Sequence, residues 1–285
     1  MVRRTPLLRV ISISLLTIAV FSSSAGASAQ TSEKGPVVVE LFTSEGCSSC
    51  PPADRMLALL QQQHTWNGTE LILLGEHVDY WNRLGWKDRF SSGAFTARQT
   101  EYARASGSEV YTPEAVVDGE PNVVANDAGA LEHAINKAVN HAKPARVTLA
   151  WSKAGNLQVL VENGGTGNAV LLFVTEDNLN TEVKAGENGG TTLHHAAVVR
   201  EMRRIGNTKA GQFQADLPVR FNPDWQRKEV RVIVLVQQDN GAGKIVGAAA
   251  LRPADETPQR RSQHREAARD NTRVARLAPV QQLSR

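Results

Sequence analysis

Two cysteines separated by two serines, Cys47 and Cys50, constrain this chain more than any other feature, because its 285 residues contain no other cysteine. An apolar run at 36–42 precedes them and is typical of a buried strand, while 51–60 reads as a helix whose prolines lie in its first turn. A thiol at such a junction lies beside free helix N–H groups and the positive end of the helix dipole, which stabilise a thiolate. The pattern predicts thiol–disulfide exchange in which Cys47 attacks and Cys50 resolves the mixed disulfide.

Two other interpretations of the cysteine pair stay open at the level of sequence. A Cys47–Cys50 disulfide could be a structural bridge, although a loop this short gains only about 2 kcal/mol by the chain-entropy argument. The pair could instead bind a thiophilic metal such as copper, with His77 as a further ligand, but no second cysteine pair completes a zinc site. We expect no cofactor unless this metal alternative holds.

The first 29 residues have the organisation of a bacterial secretory signal. Basic residues at 1–9 lead into an apolar run at 10–21, too short for the roughly 20 residues that span a bilayer, and an Ala-x-Ala cleavage site follows at 27–29. We expect a mature protein that is periplasmic or secreted and has no membrane span; an uncleaved anchor is the alternative. The whole chain has a net charge of +3, and the leader carries three arginines, so the mature chain offers little attraction for nucleic acid.

Apolar periodicity predicts the order β-α-β, helix, β-β-α in the first half of the mature chain. A second strand is expected at 70–75, and a polar, aromatic-rich stretch after it contains a helix-compatible segment at 94–105, which we interpret as a helical insertion. Two strands then flank an Asp118-Gly119 turn, and a closing helix is expected at 129–141. We assign 36–142 to this domain.

Short alternating runs separated by Asn/Gly turns characterise the second half, 145–251, and indicate a small antiparallel β-sandwich-like domain. From 252 to 285 the chain carries eight arginines and four acidic residues with few large apolar ones. We expect this segment to be a solvated, disordered or frayed tail rather than an arm for an anionic partner.

Thr112 and Pro113 are candidates for a substrate-binding segment beside the cysteine pair. A proline that opens a strand can adopt cis geometry, and the Thr112 backbone beside it could bond an extended substrate. His77 and Asp79 end the second apolar strand, where α/β folds place ligands, so they and Glu45 are candidates for moving a thiol proton, although each is individually more typical of a structural role. Three aromatic residues, Tyr80, Trp81 and Trp86, could line a groove or simply pack together. A glycine-rich segment at 186–190 is typical of a turn. His194 and His195 are adjacent, and on a strand their side chains would face opposite ways.

These motifs together resemble the DUF1223 family of secreted bacterial proteins. The resemblance rests on the blocks at 37–54, 77–81, 84–90, 111–113, 186–190 and 198–200. It implies an α/β thioredoxin-like domain with a helical insertion, followed by the β-rich domain, with Cys47 and Cys50 as the redox pair and Pro113 facing it. Glu45 and Asn82 depart from the family pattern, in which a glutamine and an acid are expected.

The sequence therefore predicts an exported thiol–disulfide oxidoreductase that acts on protein thiols and disulfides of the cell envelope. The catalytic residues would be Cys47, Cys50 and Pro113. A metal-binding or metallochaperone protein is the first alternative, and a binding module whose β-rich half does the work is the second.

Overall fold

The computed structural model describes residues 34–253, so the predicted leader at 1–29 and the predicted tail beyond 253 lie outside the described residues. The first half contains β1 (Val37–Thr43), α1 (Pro51–Gln63), β2 (Thr65–Trp66), β3 (Thr69–His77), α2 (Gly93–Ser106), β4 (Glu114–Val117), β5 (Glu120–Val124) and α3 (Ala128–Val139). The second half contains β6 (Arg146–Trp151), β7 (Leu157–Glu162), β8 (Ala169–Glu176), β9 (Leu179–Glu182), β10 (Thr192–His195), β11 (Val198–Asn207), β12 (Phe213–Leu217), β13 (Val230–Gln237) and β14 (Ile245–Leu251). Short 3₁₀ turns lie at Asn82–Leu84, Arg227–Glu229 and Asp239–Gly241.

One mixed sheet runs through both halves, in the order β14-β13-β8-β11-β3-β1-β4-β5, with β2 pairing to β3. Strand β1 is parallel to β3 and antiparallel to β4. The halves meet where Val198 of β11 pairs with Gly75 of β3, and the Gly75 N–H donates to the Ala197 carbonyl at 2.7 Å.

The expectation of a separate β-sandwich after the first domain is therefore wrong. Strands β8, β11, β13 and β14 extend the sheet of the first half across the predicted boundary at 142–145, and the described chain forms one compact unit. The physical reason is that the outer edge of β3 carries backbone groups that must be paired where they are buried, and β11 pairs with them.

Helices cover both faces of the sheet around β1, whose seven residues are all buried. Helices α1 and α3 pack on one face, and α2 packs on the other. The first core includes Val37, Val39, Leu41, Leu57 and Ile135, and the second includes Val38, Ile72, Phe95, Phe173 and Ile233.

A three-stranded sheet, β12-β7-β6, covers the part of the central sheet that lacks α1 and α3. The inward residues of β7 alternate with exposed ones, as the sequence pattern predicts. They pack against β8 and β13, so sheet-on-sheet packing does occur in the second half, although one of its two layers belongs to the central sheet. This core includes Leu157, Val159, Val161, Leu172 and Val234.

Helix ends follow local signals. Helix α1 begins with two prolines, which need no N–H partner in the first turn. Ser92 caps α2 by accepting the Ala94 N–H, and that helix ends at Gly107 in the left-handed conformation. Asp127 caps α3. The predicted helical insertion thus consists of α2 and the 3₁₀ turn before it, and no helix in the described residues is both long and apolar enough to cross a membrane.

The Asp118-Gly119 turn ties β1, β14 and the connection between the halves together. Both residues have positive φ, at 51° and 81°, as a tight hairpin between β4 and β5 requires. Asp118 accepts the Val38 N–H at 2.9 Å, and its other carboxylate oxygen lies 2.7 Å from Nζ of Lys143. The Ile245 N–H donates to its carbonyl at 2.9 Å.

An ionic network lies between α2 and the sheet. The Arg98 guanidinium donates to Glu40 at 2.6 Å, and the Tyr102 hydroxyl donates to the other Glu40 oxygen, also at 2.6 Å. Glu76 lies farther away, with Oε1 at 3.6 Å from Arg98 Nε, and neither of its buried oxygens has a hydrogen-bond partner. Burial and the Glu40 carboxylate raise the pKa of Glu76 well above its usual range, against the opposing effect of Arg98. The protonated form of Glu76 is therefore favoured to a higher pH than in a solvent-exposed glutamate.

Candidate functional site

Cys47 and Cys50 are joined by a disulfide between the end of β1 and the start of α1. Cys50 is the residue before the first turn of α1, and its carbonyl accepts the Ala53 N–H at 2.9 Å. The apolar strand and the two prolines dictate this local arrangement, because the strand must stop and the helix must start within a few residues. Both cysteines are fully buried, whereas Ser48 and Ser49 between them are exposed.

A turn between β9 and β10 is hydrogen-bonded to the loop that carries the disulfide. The Asn188 side-chain amide donates to two backbone carbonyls, those of Glu45 and Cys47, each at 2.9 Å. The Glu187 carboxylate accepts the Ser48 N–H at 3.1 Å. The glycine-rich segment that the sequence marked as a turn is indeed a turn, and it is seated on the loop that carries the cysteines.

The Thr112–Pro113 peptide is cis, and Pro113 directly precedes β4. Glu114 pairs with Phe42 of β1, so this segment lies at the same end of the sheet as the cysteine loop. The Trp81 indole N–H donates to the Thr112 hydroxyl at 2.8 Å. The Trp81 side chain also packs closely on the loop before Cys47, because a Cβ added at Gly46 would lie 3.3 Å from its Cβ. Trp81 therefore connects the cysteine loop with the cis-proline segment.

A buried acid–base cluster lies behind the cysteine loop. His77 Nδ1 is 2.6 Å from an Asp88 carboxylate oxygen, and the same oxygen accepts the Glu45 N–H at 2.9 Å. The His195 ring packs edge-on to the His77 ring with centroids 4.9 Å apart, and His195 Nε2 lies 3.4 Å from Glu45 Oε1. Phe90 packs against both imidazoles. Four ionisable side chains from distant parts of the chain therefore share one water-poor environment.

Burial lowers the pKa of His77, but the Asp88 carboxylate, with smaller contributions from Asp54 and Glu45, more than compensates, so the pKa is raised from its ordinary value. The same contact holds the pKa of Asp88 below its ordinary value even though burial opposes this. The pair is therefore ionic over the pH range between these two pKa values. His77 is held by this ion pair rather than free.

Asp54 extends the cluster toward α1. One carboxylate oxygen accepts the Thr43 hydroxyl at 2.8 Å, and the other is buried without a partner. Burial raises the pKa of Asp54, while the nearby imidazoles of His195 and His77 lower it in part. Asp54, Thr43 and both histidines line one small void. Buried polar atoms without a hydrogen-bond partner are rare in folded proteins. Here they include the second Asp54 oxygen, the outer His195 nitrogen Nδ1, and Glu45 Oε1 and His195 Nε2, which lie 3.4 Å apart without a hydrogen bond between them.

Other predicted residues lie around this cluster. Asp79 accepts the Thr96 hydroxyl at 2.6 Å and so belongs to the start of α2, not to the acid–base cluster. The Trp86 indole N–H donates to Glu45 Oε2 at 2.7 Å. Tyr80 donates to Gln99, and burial raises the pKa of Tyr80 to about 12. Of the predicted accessory residues, Glu45 and His77 thus meet in the cluster, Thr112 bonds to Trp81, and Asp79 lies apart.

Sequence reasoning did not assign a role to Asp54, Asp88, His195 or Asn188. Asp54 and Asp88 stand inside the family-like blocks at 37–54 and 84–90, which is the one signal that could have identified them. His195 is buried and His194 exposed, so the two side chains do face opposite ways as expected on β10. In residues 34–253, no group of three or more His, Cys, Asp or Glu side chains is arranged to hold a metal ion.

Comparison with known proteins identifies the family. The sequence model of the DUF1223 family, described as a protein of unknown function, matches residues 38–237, and no curated protein matches the chain. Among solved structures the chain is similar to protein AGR_C_4864 from Agrobacterium tumefaciens, with 29% identity and a TM-score of 0.62 over 80% of this chain and 98% of that one. It is similar in fold to HBP35 of Porphyromonas gingivalis, with 15% identity and a TM-score of 0.57 over 88% of this chain and 80% of that one. Since the family match covers more than half of the sequence, the chain belongs to the DUF1223 family, as its motifs predicted.

Proposed function

We propose that this protein is an exported thiol–disulfide oxidoreductase. The observation that carries the proposal is the Cys47–Cys50 disulfide at the start of α1. Helix N–H groups and the helix dipole favour a thiolate at such a position, which activates the nucleophile of disulfide exchange. The leader-like residues at 1–29 support an envelope location, where protein disulfides form and persist.

In the same proposal the first half is a thioredoxin-like domain, and the order of its strands and helices supports this. Its strands follow the order β3-β1-β4-β5, with α1 and α3 on one face and α2 on the other. The cysteine pair lies between the central strand and α1, and Pro113 opens the antiparallel strand next to β1. In this proposal the extended substrate segment pairs with the Thr112 backbone beside the cysteines.

The reaction moves two electrons between the protein and a substrate disulfide. The Cys47 thiolate attacks one substrate sulfur, a mixed disulfide forms, and the other substrate sulfur leaves as a thiolate that takes up a proton. Cys50 then loses its proton and attacks Cys47 Sγ, which regenerates the intramolecular disulfide and releases the second substrate thiol. Run in reverse, the disulfide form oxidises a substrate dithiol.

The buried acid–base cluster is the proposed partner in proton transfer. Asp54 lies one helical turn beyond Cys50, and its raised pKa brings proton exchange closer to neutral pH. Glu45 stands two residues before Cys47 and contacts His195. Asp54→Asn should therefore shift the pH profile of disulfide formation more than it changes the plateau rate, whereas a purely structural role predicts an unchanged profile.

A redox titration of the purified protein in glutathione buffers, read by thiol alkylation, tests the function. A reversible two-electron transition above about −250 mV is expected of a working exchange catalyst, and its value gives the direction of electron flow. Cys47→Ser is the control, because it retains one thiol and cannot form the bridge. A disulfide that resists reduction below about −300 mV would mark a structural bridge and contradict the proposal.

A further inference from the structure

The sulfurs of the disulfide are buried, and thiol exchange requires that they become accessible at some stage of the reaction cycle. An attacking thiolate must approach one sulfur directly, yet Cys47 and Cys50 are both 0% exposed. The turn of Gly186, Glu187 and Asn188, which we call the strap, is hydrogen-bonded to the backbone of the loop that holds both cysteines. We propose that the strap controls which thiols reach the Cys47–Cys50 disulfide, with Asn188 as its specificity-determining latch; this inference rests on the proposed function.

Asn188 is the strongest attachment of the strap. Its side chain is nearly buried, with 8% exposed, and its single amide nitrogen donates to the carbonyls of both Glu45 and Cys47. These are the carbonyls on either side of Gly46, so one side chain fixes the backbone that leads into the disulfide. Loss of the amide would release the strap and leave two carbonyls without these donors.

Gly186 and Glu187, which precede the latch in the chain, give the strap two further attachments. Glu187 occupies the Ser48 N–H, a backbone group beside the sulfurs with which an extended substrate would otherwise pair. Gly186 has a φ of 74° and packs so closely that a Cβ there would lie 3.0 Å from Trp86 Cβ. A side chain at that position cannot be accommodated unless the strap or Trp86 moves.

These contacts predict discrimination between thiols. A small thiol makes no contacts that would displace Asn188, so it must wait for spontaneous opening of the strap. A protein substrate can replace the same backbone bonds with its own, because an extended segment offers both donors and acceptors. The strap therefore slows exchange with small thiols and leaves it open to a partner that pairs with the cysteine loop.

The test measures the rate at which dithiothreitol reduces the disulfide, by quenching with an alkylating reagent and counting modified cysteines by mass spectrometry. Asn188→Ala should accelerate reduction about tenfold. A tenfold change corresponds to about 1.4 kcal/mol, and the loss of two hydrogen bonds is expected to make opening of the strap easier by a free energy of that order. Asn168→Ala is the matched control, because that amide also donates to a loop carbonyl, at 2.7 Å from Gly164, but in a different loop. It should change the rate less than about twofold.

Gly186→Ala and Gly190→Ala form a second pair that does not depend on the latch. Both glycines have positive φ, at 74° and 83°, so alanine strains the backbone in each. Only Gly186 faces Trp86, whereas nothing lies within 4 Å of a Cβ at Gly190. Gly186→Ala should therefore accelerate reduction well beyond Gly190→Ala.

Urea midpoints of all four variants separate opening of the strap from loss of the whole fold. If Asn188→Ala is too unstable to purify, the glycine pair decides. Equal rates for wild type, Asn188→Ala and Gly186→Ala, or acceleration only in proportion to lost global stability, would overturn the strap. The rate of reduction measures chemical access to the sulfurs, whereas the redox titration measures the reduction potential of the disulfide. The strap can therefore be refuted while the titration still supports thiol–disulfide exchange, and exchange can be refuted while the rates still support the strap.

Discussion

Replacing Glu76 with glutamine should change how the stability of the protein depends on pH. Glu76 is buried beside Glu40, and these surroundings raise its pKa well above the ordinary value. A raised folded-state pKa means that the folded protein keeps a proton which the unfolded chain releases. The contribution is therefore fully present below the unfolded pKa, near 4.3 for a glutamate, and is lost as pH rises through the folded pKa.

The magnitude follows from proton linkage. Within that window one extra proton bound by the folded state makes the free energy of unfolding fall by about 1.4 kcal/mol per pH unit. Glutamine has nearly the shape of the protonated acid and does not titrate. The free energy of unfolding of Glu76→Gln, relative to that of wild type, should therefore rise by about 1.4 kcal/mol for each pH unit above about 5, until the pKa of Glu76 in the folded protein is reached.

Urea unfolding at pH 5, 6, 7 and 8, followed by tryptophan fluorescence with the disulfide intact, measures this difference. Glu70→Gln is the matched control on the same strand, because Glu70 is exposed. Its stability should follow the wild-type curve at each pH. Parallel curves for wild type and Glu76→Gln across the four pH values would refute the reasoning, since they would mean that Glu76 binds the same number of protons in both states.

Two further substitutions test how the halves of the chain are joined. Lys143→Ala should lower the free energy of unfolding in urea at pH 7 by about 3 kcal/mol, because it leaves the Asp118 carboxylate with an uncompensated charge. The double variant Lys143→Met with Asp118→Asn removes both charges and should be more stable than Lys143→Ala. A double variant no more stable than Lys143→Ala would argue against the charge effect. Gly119→Ala should destabilise the protein by more than about 2 kcal/mol, since its Cβ would lie 2.2 Å from the Gly243 carbonyl oxygen, whereas Gly167→Ala has a similar φ and open space and should cost only about 1 kcal/mol. Equal losses in the two glycine variants would show that backbone strain alone decides.

Local sequence signals predicted the elements that carry the cysteines. The apolar run became β1, the prolines opened α1, and the Asp118-Gly119 pair formed the turn between β4 and β5. Each of these depends on neighbours within a few residues, namely strand burial, the first-turn tolerance of proline and the positive φ of a tight turn. The family resemblance was also readable, because its motifs are contiguous.

Pairing across the halves was not readable in the same way. The second half has the alternating pattern of a β-sandwich, and that pattern states which face of a strand is buried but not which strand lies beside it. The contact of Val198 with Gly75 brings together positions far apart in the chain. A separate domain and an extended central sheet therefore have the same local signature.

The sequence by itself determined the chemistry available to this protein: one cysteine pair, at a strand-to-helix junction, with a proline that opens a neighbouring strand. The tertiary structure decided what surrounds that pair. His195 reaches Glu45, and Asn188 donates to the Cys47 carbonyl, across about half of the chain; Asn188 and Cys47 are 141 positions apart in the sequence. Periodicity and spacing report interactions over one turn or one strand, whereas these contacts arise only when the strands of the central sheet pair and bring distant loops to the same edge.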